Sequence, residues 1–434
     1  MNERKTLLVN KDNHLEIGGI DTLSLAKQYG TPLYVMDKTY VKNVCKSYVS
    51  ALDKSYGYGI ISYASKAFCC KDIFRTINAE GLGIDVVSMG ELYTALSVGF
   101  PSEKIIFHGN NKTCEELVYA IENNVGLIVV DAYSELDDID KICSQIGKKQ
   151  DVLIRVNPGV EAHTHHYIQT SKPDSKFGFS IENGDALDFI KRILNYKTLT
   201  LRGLHCHIGS QIFEQKSFII AVEKMVDFYA KVNNELGIEF DILDLGGGFG
   251  IYYSNDDKKM SLDSYCAFIE AIANSLKENL QKHNLKKPYL ILEPGRSIVG
   301  EAGITLYTVG RIKEIKGLKN YLAIDGGMFD NPRFALYQAK YTVKSASNVN
   351  GTIDKTYTIA GKCCESGDII AENVALPKIK EGDVLAVFST GAYNYSMASN
   401  YNRNCIPPVV MVENGKSYVA VKKQSLDDLV RNDV

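Results

Sequence analysis

The chain has 434 residues, of which 45% are hydrophobic and 23% are charged, and its formal net charge is −3. This length exceeds that of one ordinary domain, and the apolar content is sufficient for two hydrophobic cores. The near-neutral charge, without a basic run, argues against a dedicated nucleic-acid binder, so we expect a small-molecule partner.

The N-terminus and the cysteines indicate the cellular compartment. Residues 1–5 lack the apolar core of a signal peptide, and no apolar stretch approaches the ~20 residues of a membrane span. The ten cysteines show no metal-ligand spacing, which is typical of reduced thiols. We therefore expect a cytoplasmic protein with no disulfide framework and no membrane partner.

Apolar runs alternate with helical patterns from residue 60 onward. The predicted strands are 60–63, 84–87, 104–107, 127–130, 152–156, 199–205, 240–245 and 289–292. The helical patterns between them are 71–79, 90–98, 114–122, 134–146, 183–194, 216–236 and 262–283. Eight strands alternating with seven helices predict a (β/α)8 TIM-type barrel.

A different pattern begins after residue 302. Short alternating strands are predicted at 304–309, 321–324, 341–344, 356–359, 384–388, 409–412 and 418–421. They indicate a C-terminal all-β domain of the sandwich or barrel-like kind, and the predicted N-terminal strand 31–37 is expected to join it. We therefore expect a barrel at 37–302 and a β domain built from 1–36 and 303–434.

In such barrels the reacting groups lie on the loops that follow the strand ends. Polar residues and glycines gather at these positions. They are Lys66, Asp85, Ser88, His108, Asp131, Arg155, Asn157, His205, His207, Ser210, Gly246, Gly247, Gly248, Glu293 and Arg296.

Lys66 and the glycine run 246–250 together predict a cofactor. Burial lowers the pKa of a lysine, and the neutral amine then attacks carbonyl groups. The glycines allow backbone N–H groups to approach a phosphate, although Ile251 excludes a dinucleotide fingerprint. Taken singly, Lys66 is more often a surface lysine, and a glycine run is often a tight turn. Together they predict a phosphorylated aldehyde, pyridoxal phosphate.

Glu293 and the two histidines extend this prediction. A carboxylate beside the pyridine nitrogen keeps that nitrogen protonated, which favours decarboxylation; the alternative for Glu293 is an ion pair with Arg296. His205 and His207 fall on one face of a predicted strand. We assign one to stacking on the cofactor ring and the other to the core. A pair of metal ligands ranks lower, because no carboxylate bridge is evident.

Seven motifs, in order along the chain, carry a family resemblance. They are YASKAF (63–68), GIDVVSMGEL (83–92), GLHCHIGSQ (203–211), LGGGFG (245–250), EPGR (293–296), CESGD (364–368) and GAY (391–393). The chain resembles the fold type III pyridoxal-phosphate decarboxylases, and within them the branch that acts on meso-2,6-diaminopimelate. The resemblance implies pyridoxal 5'-phosphate as the cofactor and a homodimer whose active site is shared across the subunit interface.

The resemblance also implies roles for individual residues. Lys66 would bind the cofactor covalently, His207 would stack on its ring, and Glu293 would contact its nitrogen. The phosphate end would be held by Ser210, Gly246, Gly247, Gly248, Gly295, Arg296 and Tyr393. Cys364 would donate a proton across the interface, together with Glu365, and no metal is expected.

The far end of the substrate distinguishes the branches of this family. Ornithine, arginine and lysine present a distal cation, whereas diaminopimelate also presents a distal carboxylate, which a guanidinium binds best. The implied substrate residues are Arg296, Arg333, Tyr337, Glu365 and Tyr393. We therefore expect decarboxylation of meso-2,6-diaminopimelate to L-lysine and CO2, the last step of lysine biosynthesis.

Four alternatives are kept. The first is a decarboxylase of another basic amino acid, such as lysine or ornithine, including D-isomers. A racemase of the same fold would need a second base and an arginine near the pyridine nitrogen, and Glu293 argues against it. A metal-dependent barrel hydrolase would use His205 and His207. A silent pyridoxal-phosphate-binding regulator would be expected to lose Lys66 or Cys364, and both are present.

Overall fold

The computed structural model describes residues 6–160 and 175–434. The chain forms two compact units. The barrel unit comprises Val44–Gly250 and Met260–Ser297, and the β unit comprises Met1–Asn43, Ile251–Lys259 and Ile298–Val434. The first five residues, on which the signal-peptide expectation rests, lie outside the described part of the chain. In that described part, no helix has the length and apolar character needed to cross a membrane.

The N-terminal segment builds part of the β unit. Its strands and helix are β1 (Leu7–Val9), β2 (Leu15–Ile17), β3 (Ile20–Asp21), α1 (Thr22–Tyr29) and β4 (Leu33–Asp37). Asp21 caps α1, because its carboxylate accepts a hydrogen bond from the Leu23 N–H. β4 is buried at every position. The helix α2 (Lys38–Ser55), which the sequence analysis did not predict, precedes the first barrel strand.

The strands of the barrel unit are all parallel. They are β5 (Gly59–Ala64), β6 (Gly83–Val86), β7 (Ile105–Phe107), β8 (Leu127–Val130), β9 (Gln150–Asn157), β10 (Phe179–Ser180), β11 (Leu199–His205), β12 (Ile242–Asp244) and β13 (Tyr289–Leu292). The short β10 pairs with β9. The other eight close into a ring, because β13 pairs with β5 and β8 pairs with β9. The predicted (β/α)8 barrel is confirmed.

Helices follow the barrel strands at the predicted places. They are α3 (Lys71–Ala79), α4 (Met89–Leu96), α5 (Cys114–Glu122), α6 (Tyr133–Ile146), α7 (Asp185–Ile193), α8 (Gln215–Leu236) and α9 (Leu262–Lys282), with the short α10 (Arg296–Val299) after β13. Thr113 and Glu116 form a capping box at the start of α5. α6 and α8 each end at a glycine in the left-handed conformation, Gly147 and Gly237. Local signals therefore set these ends.

The C-terminal part of the β unit is rich in strands. It contains β14 (Gly303–Ile315), β15 (Lys319–Ile324), α11 (Arg333–Tyr337), β16 (Val343–Ser345), β17 (Ile353–Ala360), β18 (Ile369–Pro377), β19 (Val384–Phe388), β20 (Val409–Glu413), β21 (Lys416–Val421) and α12 (Leu426–Val430). β4 pairs antiparallel with β14 and parallel with β20. The N-terminal strand therefore joins this sheet, as predicted. Leu33, Val35, Leu306 and Val410 belong to its core.

β18 was not predicted from the sequence. The predicted strand 341–344 begins two residues before the observed β16, Val343–Ser345. Asn373 interrupts β18 with a φ of 56°, so the strand lacks the regular alternation used to predict it. Tyr341 precedes β16 instead of starting it.

Candidate active site

Lys66 follows the end of β5, in a short 3-10 turn at Ser65–Ala67. Its Nζ lies 3.8 Å from Oδ2 of Asp85 in β6, and its side chain is 43% exposed. Asp85 is buried, and its Oδ1 has no hydrogen-bond partner. Burial raises the pKa of Asp85, and the charge on Lys66 opposes that increase. An accessible amine and a buried carboxyl group are thus paired at the strand ends.

Glu293 follows β13 and is buried between two imidazole rings. Its Oε1 lies 2.7 Å from Nε2 of His108, and its Oε2 lies 3.2 Å from Nε2 of His205. Burial acts to raise the pKa of Glu293, but the two histidines outweigh it, so the pKa lies well below its usual value. The carboxyl group is therefore ionised at neutral pH, and each ring nitrogen that faces it donates a hydrogen bond.

His205 ends β11, whereas His207 lies beyond that strand. Burial lowers the pKa of His205 from 6.5 to about 3, and its Nδ1 has no hydrogen-bond partner. The ring is therefore neutral and donates from Nε2 to Glu293. The sequence interpretation, which concerned a carboxylate bridge within the pair His205 and His207, did not foresee that Glu293 joins His205 to His108. This bridge could not be read from local spacing, because Glu293 lies 88 residues after His205.

His207 lies against the glycine run. Its Nδ1 accepts a hydrogen bond of 3.3 Å from the Gly247 N–H. Burial lowers the pKa of His207 well below its usual value, and the charges of Lys66 and Arg155 lower it further. The imidazole ring of His207 is therefore neutral, with Nδ1 unprotonated. Its flat face suits a stacking role.

The glycine run packs tightly against neighbouring strand ends. A Cβ atom on Gly247 would lie 2.1 Å from the Glu293 carbonyl oxygen, and one on Gly248 would lie 2.1 Å from the Gly209 carbonyl oxygen. Gly246 and Gly248 have φ values of 64° and 113°, which favour glycine. The short distances between these glycines and neighbouring backbone atoms therefore require glycine here. Without side chains, the backbone N–H groups of the run are also accessible to a ligand.

Arg296 and Ser210 lie beside this run. Arg296 donates from Nε and Nη2 to the Ser210 hydroxyl oxygen at 3.2 and 2.9 Å. The Ile212 N–H donates to the Gly248 carbonyl, which ties the loop after Ser210 to the glycines. Gly295 allows α10 to pass close to β5, since a Cβ there would lie 2.8 Å from the Ala64 Cβ. A guanidinium, a hydroxyl group and bare backbone thus meet at one end of the site.

These groups fit pyridoxal phosphate. Lys66 supplies an amine for the aldehyde, and the ionised Glu293 supplies a partner for a protonated pyridine nitrogen. The neutral ring of His207 supplies a stacking face. Arg296, Ser210 and the glycine run supply donors suited to phosphate.

One further feature of the barrel unit concerns metal binding. His108, His205, Asp244 and Glu293 each offer a ligand atom, and these atoms lie within 4.8 Å of one another. Burial raises the pKa of Asp244 well above its usual value, and the charge of Glu293 raises it further. A raised pKa favours the protonated form of Asp244, whereas a metal ligand must be deprotonated. The expectation that no metal binds here stays a prediction.

The β unit carries the other predicted residues, among them Arg333 at the start of α11. Arg333 is 7% exposed. Its Nη1 donates to the Tyr341 hydroxyl oxygen at 2.7 Å, and the guanidinium lies 4.5 Å from the ring centre of Tyr253. Among the described residues it forms no ion pair with Asp or Glu. Burying a charge without a counter-charge costs several kcal/mol, so this arrangement is characteristic of an anion-binding site.

Cys364 and Glu365 are exposed on the loop between β17 and β18. The Cys364 N–H donates to Oδ1 of Asn402 at 2.8 Å. The buried Asp368 accepts from the Met328 N–H at 2.6 Å and from the Cys363 N–H at 2.7 Å. The loop that presents Cys364 is therefore held at both sides. Of the other two predicted residues, Tyr337 ends α11, and Tyr393 has a φ of 60°.

Four residues that contact the predicted site residues were assigned no role from the sequence. They are Asp85, His108, Tyr253 and Tyr341. Asp85 and His108 were visible as polar residues at strand ends, which was a usable signal. Their partners, Lys66 and Glu293, are distant in sequence. No sequence pattern indicated the two tyrosines.

Residues 41–300 match the family model described as "Pyridoxal-dependent decarboxylase, pyridoxal binding domain". The fold and the site therefore define a pyridoxal-phosphate-dependent decarboxylase. The chain is 48% identical to diaminopimelate decarboxylase of Bacillus subtilis (strain 168), over 98% of this chain and 96% of that protein. It is 46% identical to diaminopimelate decarboxylase of Staphylococcus aureus (strain COL), over 99% of both. The chain belongs to the diaminopimelate decarboxylase family of carboxy-lyases.

Solved structures agree. The crystal structure of diaminopimelate decarboxylase from M. jannaschii, in co-complex with L-lysine, has a TM-score of 0.91 and 36% sequence identity. The match covers 100% of this chain and 99% of that one. Diaminopimelate decarboxylase from Helicobacter pylori, complexed with L-lysine, has a TM-score of 0.85 and 31% identity, over 94% of this chain and 98% of that one. The similarity therefore includes both units.

Proposed function

We propose that this chain decarboxylates meso-2,6-diaminopimelate to L-lysine and CO2, the last step of lysine biosynthesis. The observation that carries the choice of substrate is Arg333, a buried guanidinium that has aromatic neighbours and, among the described residues, no acidic partner. Among basic amino acids, diaminopimelate is the one with a second carboxylate to supply that missing charge. Membership in the family supports the same reaction.

The stereochemistry of the family directs the reaction to the D centre of the substrate. That centre loses its carboxylate as CO2, and the L centre keeps its amine and carboxylate. Arg333 binds the retained carboxylate through a charge-assisted pair. Tyr337 and Tyr393 complete that side of the site, and Glu365 accepts from the distal ammonium.

The residues of the barrel unit bind and orient the cofactor. Pyridoxal phosphate, when bound, accepts the electron pair that the breaking C–C bond releases. Lys66, whose amine lies beside the carboxyl group of Asp85, would be the point of covalent attachment. Glu293, ionised between His108 and His205, would hold a proton at the pyridine nitrogen. His207 would cover a ring face, and Ser210, Arg296 and the glycines 246–248 and 295 would bind the phosphate.

Cys364 supplies the final proton, from its Sγ to the carbon atom that has lost CO2. We place this step at the interface of a homodimer, where Cys364 and Glu365 act at the other subunit's Lys66. Two observations support this proposal: both residues are exposed in the single chain, and Asp368 and Asn402 hold their loop in place. The ten cysteines, which all lie in the described part of the chain, form no disulfide bond, which supports a cytoplasmic location.

The test measures CO2 release from meso-diaminopimelate, L-lysine, D-lysine, ornithine and arginine. Arg333→Ala should lower kcat/KM for meso-diaminopimelate by roughly 30-fold or more, because truncating a buried charge pair costs ~2–5 kcal/mol. D-lysine has a reacting D centre but no distal carboxylate, so any turnover of it should change far less. Arg311→Ala, which removes an exposed arginine of the same unit, is the matched control.

Two results would contradict the proposal. Preferred release of CO2 from lysine or ornithine by the wild-type protein would assign the chain to another substrate. Equal loss of both activities in Arg333→Ala, with the cofactor absorbance retained, would make Arg333 a structural residue.

A further inference from the structure

Among the described residues, the groups that contact the guanidinium of Arg333 are neutral. They are the hydroxyl oxygen of Tyr341 at 2.7 Å and the rings of Tyr253 and Tyr341, with centres 4.5 and 5.5 Å away. The two rings meet edge to face, 5.5 Å apart. Arginine side chains lose much rotamer entropy on ordering, so these contacts select one orientation of the guanidinium before any ligand arrives.

We infer that Tyr341 is a positioning residue, which orients Arg333 toward the distal carboxylate of the substrate and thereby sets the preference for a dicarboxylic amino acid. The inference rests on the proposed function. Tyr341 itself need not touch the substrate, because its effect passes through Arg333.

The choice of a hydroxyl group has a physical reason. An aspartate or glutamate at this place would also orient Arg333, but its charge would cancel the charge that the substrate needs. Burial raises the pKa of Tyr341, and the charge of Arg333 only partly opposes that increase. The phenol is therefore neutral at physiological pH: it accepts one N–H of Arg333 and leaves the positive charge uncompensated.

Asn394 holds this hydroxyl group in place. Asn394 is fully buried, and its Nδ2 donates to the Thr390 carbonyl oxygen at 3.1 Å. Its side-chain amide contacts the Tyr341 hydroxyl oxygen through both polar atoms, Nδ2 at 3.3 Å and Oδ1 at 3.4 Å. The hydroxyl oxygen that accepts from Arg333 is thus fixed from its other side. Asn394 also follows Tyr393 directly, so the chain connects both predicted substrate residues to one network.

The backbone around Tyr253 completes the arrangement. Its carbonyl oxygen accepts two hydrogen bonds of 2.9 Å from Thr342, one from the N–H and one from the hydroxyl group. Thr342 adjoins Tyr341. Tyr253 and Tyr341 are therefore connected by backbone hydrogen bonds as well as by the edge-to-face contact of their rings.

The experiment compares Tyr341→Phe with the wild-type holoenzyme. The variant keeps the ring and removes the acceptor for Arg333. We expect KM for meso-diaminopimelate to rise about tenfold, equivalent to about 1.4 kcal/mol, with kcat within about twofold. Tyr229→Phe is the matched control, since Tyr229 is also a buried tyrosine and its hydroxyl oxygen accepts from the Phe240 N–H.

Inhibition by two amines separates positioning from a structural effect. L-Lysine carries the retained carboxylate, so its inhibition constant should rise in parallel with KM. Cadaverine has the same carbon chain and amines but no carboxylate, so its inhibition constant should stay unchanged. Equal weakening of both inhibitors would make the role of Tyr341 structural and overturn the inference.

A double-mutant cycle tests the route through Arg333. In the Arg333→Ala background, Tyr341→Phe should have no further effect, because the group that it positions is gone. Losses that multiply would show that Tyr341 acts independently of Arg333, against the inference. If Tyr341→Phe does not yield folded protein, Asn394→Ala serves instead, with a smaller rise of KM in the same direction.

The outcomes also separate this inference from the proposed function. A wild-type protein that does not release CO2 from meso-diaminopimelate contradicts the proposed function. An active wild-type protein whose KM is unchanged in Tyr341→Phe contradicts the positioning role alone.

Discussion

His205 makes the stability of the folded chain depend on pH in a way that one substitution can test. Burial lowers its pKa from 6.5 to about 3. Because Nε2 already faces Glu293, protonation would add a hydrogen at Nδ1, and that atom has no hydrogen-bond partner among the residues that the structure describes. Between these two pKa values the unfolded chain binds this proton and the folded chain does not. Stability from this group is therefore complete above pH 6.5 and decreases as the pH falls toward 3.

The magnitude follows from the shift. Each pH unit in that window costs about 1.36 kcal/mol, so lowering the pH from 6.5 to 5 should remove about 2 kcal/mol of stability through His205 alone. His205→Gln keeps an N–H that can donate to Glu293 but cannot take up the proton. The variant should lose less stability than the wild-type protein between these pH values, by about the same 2 kcal/mol.

The assay counts protons taken up when the protein is unfolded in urea at pH 5, which does not require a two-state transition. His205→Gln should take up one proton fewer per chain than the wild-type protein. His283→Gln, which removes a partly exposed imidazole, controls for the loss of one histidine. Equal proton uptake by His205→Gln and the wild-type protein would refute a neutral, buried His205.

Three further outcomes are expected. Lys66→Ala should lose the borohydride-trapped cofactor adduct and nearly all turnover, and a trapped peptide with another lysine would refute the assignment. Mixing Lys66→Ala with Cys364→Ala subunits should restore about a quarter of the sites after random exchange, whereas no recovery after verified exchange would place the site in one chain. Asp368→Ala should lower kcat while the cofactor absorbance persists, because the buried Cys363 N–H and the partly buried Met328 N–H lose their acceptor, at up to ~1–3 kcal/mol each. A wild-type kcat would show that this loop does not depend on Asp368.

Much of the fold could be predicted because its signals are local. Alternating apolar runs and helical patterns indicated the barrel strands, and the limits of α3, Lys71–Ala79, and β11, Leu199–His205, agree with prediction. The prediction was weaker where a strand is irregular, as in β18 with its left-handed Asn373. The segment Ile251–Lys259 belongs to the β unit, although barrel elements flank it in sequence. Its sequence has no local pattern that indicates this membership.

The sequence by itself determined the class of fold and the cofactor chemistry, and it predicted the reactive groups, since motif spacing and strand ends depend on neighbouring residues. The tertiary structure alone decided their electrostatic states. Glu293 is ionised because His108, 185 residues away, and His205 both face it in the buried core. Arg333 has no counter-charge among the described residues, because the groups that contact it there are neutral tyrosines. Burial and charge pairing act through space, so a one-dimensional pattern does not contain them.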